Sequence, residues 1–116
     1  MERRPRLYSR RVGHAMVPAR AVYIGRPSKW GNPHHLPPRF NSKSLDEQRD
    51  LRHQVVELYI RTLRRRGMNP LELQGKDLSC WCVDWDGAEL PERWSCHGQP
   101  LLILANPNIF GVPEWW

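Results

Sequence analysis

The chain has 116 residues, enough for one domain with a modest core and too few for two. Eighteen Lys and Arg against twelve Asp and Glu give a formal net charge of +6, a surplus suited to an anionic partner such as nucleic acid, a nucleotide or a phosphorylated metabolite. No apolar run approaches the roughly 20 residues of a membrane span, and the basic N-terminus lacks the apolar stretch of a secretion signal, so a cytoplasmic protein is expected.

Residues 1–20 are basic, contain Pro5 and Pro18, and show no clear period. Residues 1–11 read as a flexible basic arm, although the stretch around Tyr8 to Val12 could supply a strand. Ala21-Val22-Tyr23-Ile24 reads as a buried strand ended by Gly25. A Gly/Pro-rich loop, GRPSKWGNP, spans residues 25–33, and His34-His35-Leu36-Pro37-Pro38 continues it. Ser44 and Glu47 have the spacing of a capping box. Leu51, Val55, Leu58, Tyr59 and Leu63 then recur at helical spacing, with acids in the first turn and arginines in the last. A long amphipathic helix is therefore predicted over about 44–66, stopped by Gly67.

Leu71 to Gly75 reads as a link, Asp77 to Val83 as a second strand with Trp81 in the core, and Asp84 to Trp94 as a polar loop. A second helix is expected over about 96–105, with Pro100 tolerable only in its first turn. Asn106-Pro107 ends it, and the apolar tail to Trp115-Trp116 should pack on the body. The expected fold is a small α/β domain covering residues 1–116, with a short central sheet.

Three cysteines, all in the second half, suit a metal or a reactive thiol better than a disulfide framework. Side chains alternate along a strand, so Cys80 and Cys82 should share a face. Cys96 and His97 follow at a loop-to-helix junction. Three thiols and an imidazole are the donor set of a closed tetrahedral zinc site formed by Cys80, Cys82, Cys96 and His97. Two other readings fit the same residues. The cysteines could be small buried apolar side chains. Alternatively, Cys96 could be a catalytic thiolate favoured by the helix start and by His97.

The loop after the first strand has the parts of an anion or nucleotide site. Arg26 and Lys29 supply charge, Ser28 and Asn32 supply hydrogen bonds, and Trp30 offers a face for a base. A structural loop with Trp30 plugging the core fits equally well. The loop matches neither the P-loop nor the dinucleotide fingerprint. Trp85 and Trp94 could wall a pocket beside the cysteines.

Taken together, VYIGRPSKWGNP (22–33), GKDLSCWC (75–82) and CHGQPLLILAN (96–106) resemble a family of bacteria and their phages known as domain of unknown function 4326. The resemblance covers roughly residues 12–106. It marks Gly25, Arg26, Ser28, Gly31, Asn32 and Pro33, then Cys80, Trp81 and Cys82, and Cys96-His97, as one composite site. This chain departs from the pattern at His34, where an aromatic is usual, and at Gln99, where an acid is common. The loop between Cys82 and Cys96 is also longer. If that acid were catalytic, activity here would be in doubt.

The function expected from these observations is a nucleotide-, nucleobase- or nucleic-acid-processing enzyme, with DNA base modification in a phage as one context. Arg26, Ser28, Lys29, Trp30 and Asn32 would bind the substrate, and Cys96 and His97 would serve chemistry or zinc. One alternative is a non-catalytic nucleic-acid-binding module with a structural zinc, which would show steep salt dependence. Another is a phage protein that binds a host protein through the Trp115-Trp116 tail.

Overall fold

The computed structural model describes residues 4–11 and 16–116. Two short strands lie in the first part, β1 (Leu7–Ser9) and β2 (Val22–Tyr23). The long helix α1 (Leu45–Arg65) follows, then β3 (Leu78–Cys80), α2 (Gly98–Ala105) and the single turn α3 (Pro107–Phe110). Single 3₁₀ turns stand at Phe40–Ser42 and Pro70–Leu73. No described helix is long and apolar enough to cross a membrane.

The long helix forms where the sequence is most explicit. Ser44 caps it, its hydroxyl accepting from Glu47 N at 3.2 Å, and Asp46 and Glu47 face the positive end of the helix dipole. Gly67, at φ +65°, turns the chain away after the last arginines. The buried stripe is Val56, Tyr59, Ile60 and Leu63, with Thr62 beside it. This lies slightly round the helix from the expected one: Leu51 and Val55 are half-buried and Leu58 is exposed.

All three strands are parallel, in the order β1-β3-β2, with β3 central. Leu7 lies opposite Leu78 and Ser9 opposite Cys80, while Val22 lies opposite Leu78 on the other side. The flexible arm expected over residues 1–11 is thus contradicted at Leu7–Ser9, a fully buried strand held on both edges of its backbone. Leu7 N and O both bond to Trp85, and Ser9 N donates to Asp84 Oδ1 at 2.7 Å. A strand near Tyr8 is therefore correct, although its expected end at Val12 falls outside the described residues.

The strands expected over 21–24 and 77–83 are both shorter than expected. The ladder on β2 extends only to Ile24 N, which donates to Ser79 O, before Gly25 turns out. The chain leaves β3 after Cys80, so Trp81 lies outside the ladder and is 56% exposed instead of buried. Helix α2 starts at Gly98, two residues after its expected start, and all eight of its residues are buried. Such a helix must sit in the core. It packs there with Leu7, Ile24, Leu78 and the Tyr59–Leu63 face of α1. Asn106, wholly buried, ends it by donating to Leu102 O and accepting from Gly75 N. The tail folds back as expected: Trp115 meets Trp94 edge-on at 5.6 Å, and Trp116 packs on the core.

Candidate metal and anion site

In a parallel sheet the C-terminal strand ends share one edge, the usual ligand edge of α/β folds. Here the chain leaves that edge at Arg10-Arg11, at Gly25 and at Trp81-Cys82, and a cleft of about 980 Å³ opens beside it. Its floor is made of cysteines and its walls of arginines.

The floor is built by two turns. Cys80 ends β3, and the bend after it brings Cys82 back, its N–H donating to Cys80 Sγ at 3.4 Å. The two sulphurs share a side because of this turn, not because of strand alternation. Cys96 arrives on the turn before α2, its thiol 3.3 Å from Cys80 Sγ. Gly98 makes this approach possible: a Cβ there would lie 2.6 Å from Leu7 Cδ1 and 2.8 Å from Ile24 Cδ1, so the helix start is pressed onto the sheet. The side-chain oxygen of Gln99 accepts from both Ser95 N (2.7 Å) and Cys96 N (3.2 Å) and fixes the turn. An acid at this position could accept the same two bonds, so the departure at Gln99 preserves the positioning that the turn needs.

The three sulphurs lie within 4.8 Å of one another. Their thiols share charge unevenly. Hydrogen bonds from the Cys82 and Cys96 side chains hold the Cys80 thiol well below the usual range. The Cys80 and Cys82 side chains and burial push Cys96 well above it, and Cys80 pushes Cys82 up to about 11. Ligands of a tetrahedral zinc–thiolate centre stand about 3.8 Å apart, as zinc–sulphur bonds of about 2.3 Å require. The triad is compatible with a metal ion in spacing and in softness of donor.

His97 does not belong to that set of donor atoms. Its Nε2 lies 2.7 Å from Ile24 O, a pure acceptor, so Nε2 carries the hydrogen and Nδ1 keeps the lone pair. Nδ1 stands 3.9 Å from Cys96 Sγ. Of the four expected donors, Cys80, Cys82 and Cys96 thus gather as one group, while His97 stands beside them with its ring held by its bond to the sheet. Burial lowers the pKa of His97 and keeps the ring neutral. Tyr59 packs edge-on against it at 4.8 Å and donates to Trp30 O at 2.7 Å. Burial first, and then the Cys96 charge, push the phenol above its ordinary range.

Cys96 is 2% exposed, hydrogen-bonded inside the cluster and raised in pKa. These are the opposite of the properties of an attacking thiolate, which is accessible and low in pKa.

The walls carry Arg11, Arg26, Arg49 and Arg52. No carboxylate lines the cleft among the described residues, and none of the four pairs with a described carboxylate. Arg11 Nε donates to Trp81 O at 2.7 Å, Arg52 lies over the Phe40 ring at 4.8 Å, and the Arg26 guanidinium sits 2.8 Å from His35 Nε2. Guanidinium groups gathered with no described carboxylate among them make a field that draws anions.

The loop 25–33 contributes less than its composition implies. Arg26 and Asn32 line the cleft, whereas Ser28, Lys29 and Trp30 do not. Lys29 pairs with Glu72 at 2.8 Å, and Ser28 Oγ is buried inside the loop. Trp30 is 4% exposed and belongs to the core, so it offers no face for a base. Asn32 uses its amide on the fold, donating to Val55 O and accepting from His34 N. His34 in turn contacts Thr62 Oγ1 at 2.7 Å. Of the two tryptophans expected to wall a pocket, Trp94 lines a smaller hollow next to the cleft, while Trp85 stacks on Phe110.

Sequence reasoning missed Arg11, Arg49 and Arg52 as cleft residues, and it placed Trp81 in the core. A signal existed for two of them: Arg49 and Arg52 lie two turns and one turn before Val56 on the same helical face. The family described as Domain of unknown function (DUF4326) matches residues 8–107. No curated protein and no solved structure matches the chain.

Proposed function

This chain belongs to the DUF4326 family, and from its cleft we propose an enzyme that processes nucleotides or nucleic-acid ends at a zinc site. The observation that carries this reading is one cleft that joins three clustered thiols to four arginines with no described carboxylate partner. Purely structural zinc needs no such cationic mouth, and a plain phosphate-binding surface needs no buried thiol triad.

Cys80, Cys82 and Cys96 are the residues that would hold zinc, as thiolates. A zinc ion so held supplies a Lewis acid, with a coordination position left for a water or a substrate atom. The chain's own residues do the rest. Arg26 and Arg52 hold the anionic part of the substrate by charge-assisted hydrogen bonds. The backbone N–H groups of Cys82 and Gly98 stabilise thiolate charge at Cys80 and Cys96. His97, neutral and fixed through Nε2, keeps Nδ1 as an acceptor beside the cluster. The Ile24 carbonyl orients that ring as the outer partner of a metal-site histidine does.

The test combines elemental analysis with turnover. Purified protein should hold one zinc per chain, lose it in Cys96→Ser, and change at least one nucleoside mono- or triphosphate or short oligonucleotide detected by mass spectrometry. Folded, zinc-free wild type that leaves every such substrate unchanged would remove the proposal. Retained zinc with steeply salt-dependent duplex binding and no turnover would favour the nucleic-acid-binding module instead.

A further inference from the structure

An exposed tryptophan on the rim of a cationic cleft is an unusual expense for a small domain. Trp81 is 56% exposed, lines the cleft and stands between two of the clustered cysteines. Its ring is nevertheless held. Indole Nε1–H donates to the Tyr23 hydroxyl at 3.1 Å, and that hydroxyl donates to Arg26 O at 2.9 Å. Its backbone oxygen is held by Arg11 at 2.7 Å. The Tyr23 ring is itself covered by Arg10, whose guanidinium carbon lies 5.1 Å from the ring centroid. Gly25 leaves the room for this arrangement, because a Cβ there would collide with the Tyr23 hydroxyl.

We infer that Trp81 is a stacking platform for a nucleobase, and that the cleft takes ligands pairing a flat heteroaromatic ring with a phosphate. This rests on the reading of the cleft given above and names the part of the ligand that the arginines do not. Three features support it. The indole is oriented before any ligand arrives, so stacking does not cost the ordering of a free side chain. One hydrogen-bond chain joins the ring to the backbone carbonyl of Arg26, so the platform is fastened to a residue whose side chain lines the cleft. Neighbouring arginines supply charge without a described carboxylate to compete for it. Flat aromatic faces beside a cationic groove are the general device for holding unpaired bases. A base inside a duplex has no free face, so the expected ligand is a free nucleotide or an unpaired terminal or extruded base.

The experiment compares the four ribonucleoside 5′-monophosphates with ribose 5-phosphate by isothermal titration calorimetry, on the metal-loaded full chain. At least one nucleotide should bind about tenfold or more tightly than ribose 5-phosphate. Trp81→Ala should abolish that advantage and leave ribose 5-phosphate affinity unchanged, while Trp81→Phe should keep most of it. Metal content and melting temperature, measured on each variant, show that the neighbouring cysteines still hold their ion. Equal binding of nucleotide and ribose 5-phosphate by wild type overturns the platform and leaves the anion cleft standing, and so does a Trp81→Ala variant that behaves as wild type. Absence of binding by all five compounds removes both the platform and the cleft reading.

Discussion

Two neighbouring parallel strands each release a short excursion at the same edge of the sheet, and the two differ in what they expose. The excursion after β2, residues 25–33, is rich in side chains suited to ligands, yet most of them turn inward or sideways: Trp30 fills the core, Lys29 reaches Glu72 and Asn32 fastens the loop to α1. The excursion after β3 begins with Trp81 and Cys82, a composition that suggests core, yet with Cys80 at the strand end it presents a thiol pair and an open indole to the cleft. The difference is one of anchoring. The first loop is tied to α1 by Tyr59 and Asn32, so its residues serve the fold. The second leaves a central strand whose register is already set on both sides, so its residues are free to face a ligand.

The two tryptophans give the sharpest break of that comparison. Trp30→Ala should destabilise the protein by about 3–5 kcal/mol, as loss of a large core aromatic does. Trp81→Ala should stay within about 0.5 kcal/mol of wild type, as exposed substitutions do. Urea unfolding at equal metal content measures both, and similar values for the two would remove the distinction. An effect of similar size is expected at the floor. With metal at 1,000 times its dissociation constant, binding adds about 4 kcal/mol to stability. Cys96→Ser should forfeit that increment, so its melting temperature should match that of chelator-treated wild type. A variant that still melts higher when metal is added would show that Cys96 is not a ligand.

How much of this was legible beforehand follows the same division. The long helix announced itself through Ser44, its apolar spacing and Gly67, because capping and periodicity are local properties. The α/β arrangement and the gathering of the three cysteines were also readable, since a C-x-C pair and a later Cys-His sit beside two strand-like runs. The reason for the gathering was not: a bend after Cys80, instead of alternation along a strand, turns the sulphurs together. Nor could the sequence show that His97 is drawn to Ile24 O, 73 residues away. Ring burial was left open for Trp30 and read backwards for Trp81, because residue type says little about exposure when strands run to two or three residues. Arg49 and Arg52 were legible as a helical face, but their meeting with Arg26 depends on how α1 lies across the sheet.

A smaller effect should come from the turn that carries Cys96. Gln99→Met keeps the volume and removes the oxygen that accepts from Ser95 N and Cys96 N. Leaving the buried Cys96 N–H without its acceptor should cost about 1–3 kcal/mol and weaken metal retention. Gln99→Glu restores the acceptor, and its metal affinity, measured by competition with a chromogenic chelator, should exceed that of Gln99→Met. Equal affinities would mean that the oxygen does not position the thiol.

The smallest expected effect separates two cations of the same loop. Arg26 faces the cleft with no described carboxylate partner, while Lys29 lies outside it in an exposed pair with Glu72. A hydrogen bond from a charged donor to an anion contributes roughly 1.5 kcal/mol or more, so Arg26→Ala should weaken binding of inorganic phosphate about tenfold. Arg26→Lys should recover only part of this, because an ammonium cannot reproduce the planar two-point grip of a guanidinium. Lys29→Ala breaks a surface ion pair of about 0–1 kcal/mol and should leave phosphate affinity unchanged. Calorimetric titration at fixed ionic strength distinguishes these outcomes. Equal losses for Arg26→Ala and Lys29→Ala would mean that the loop acts through net charge alone, and the contrast between its inward and outward residues would then have no bearing on binding.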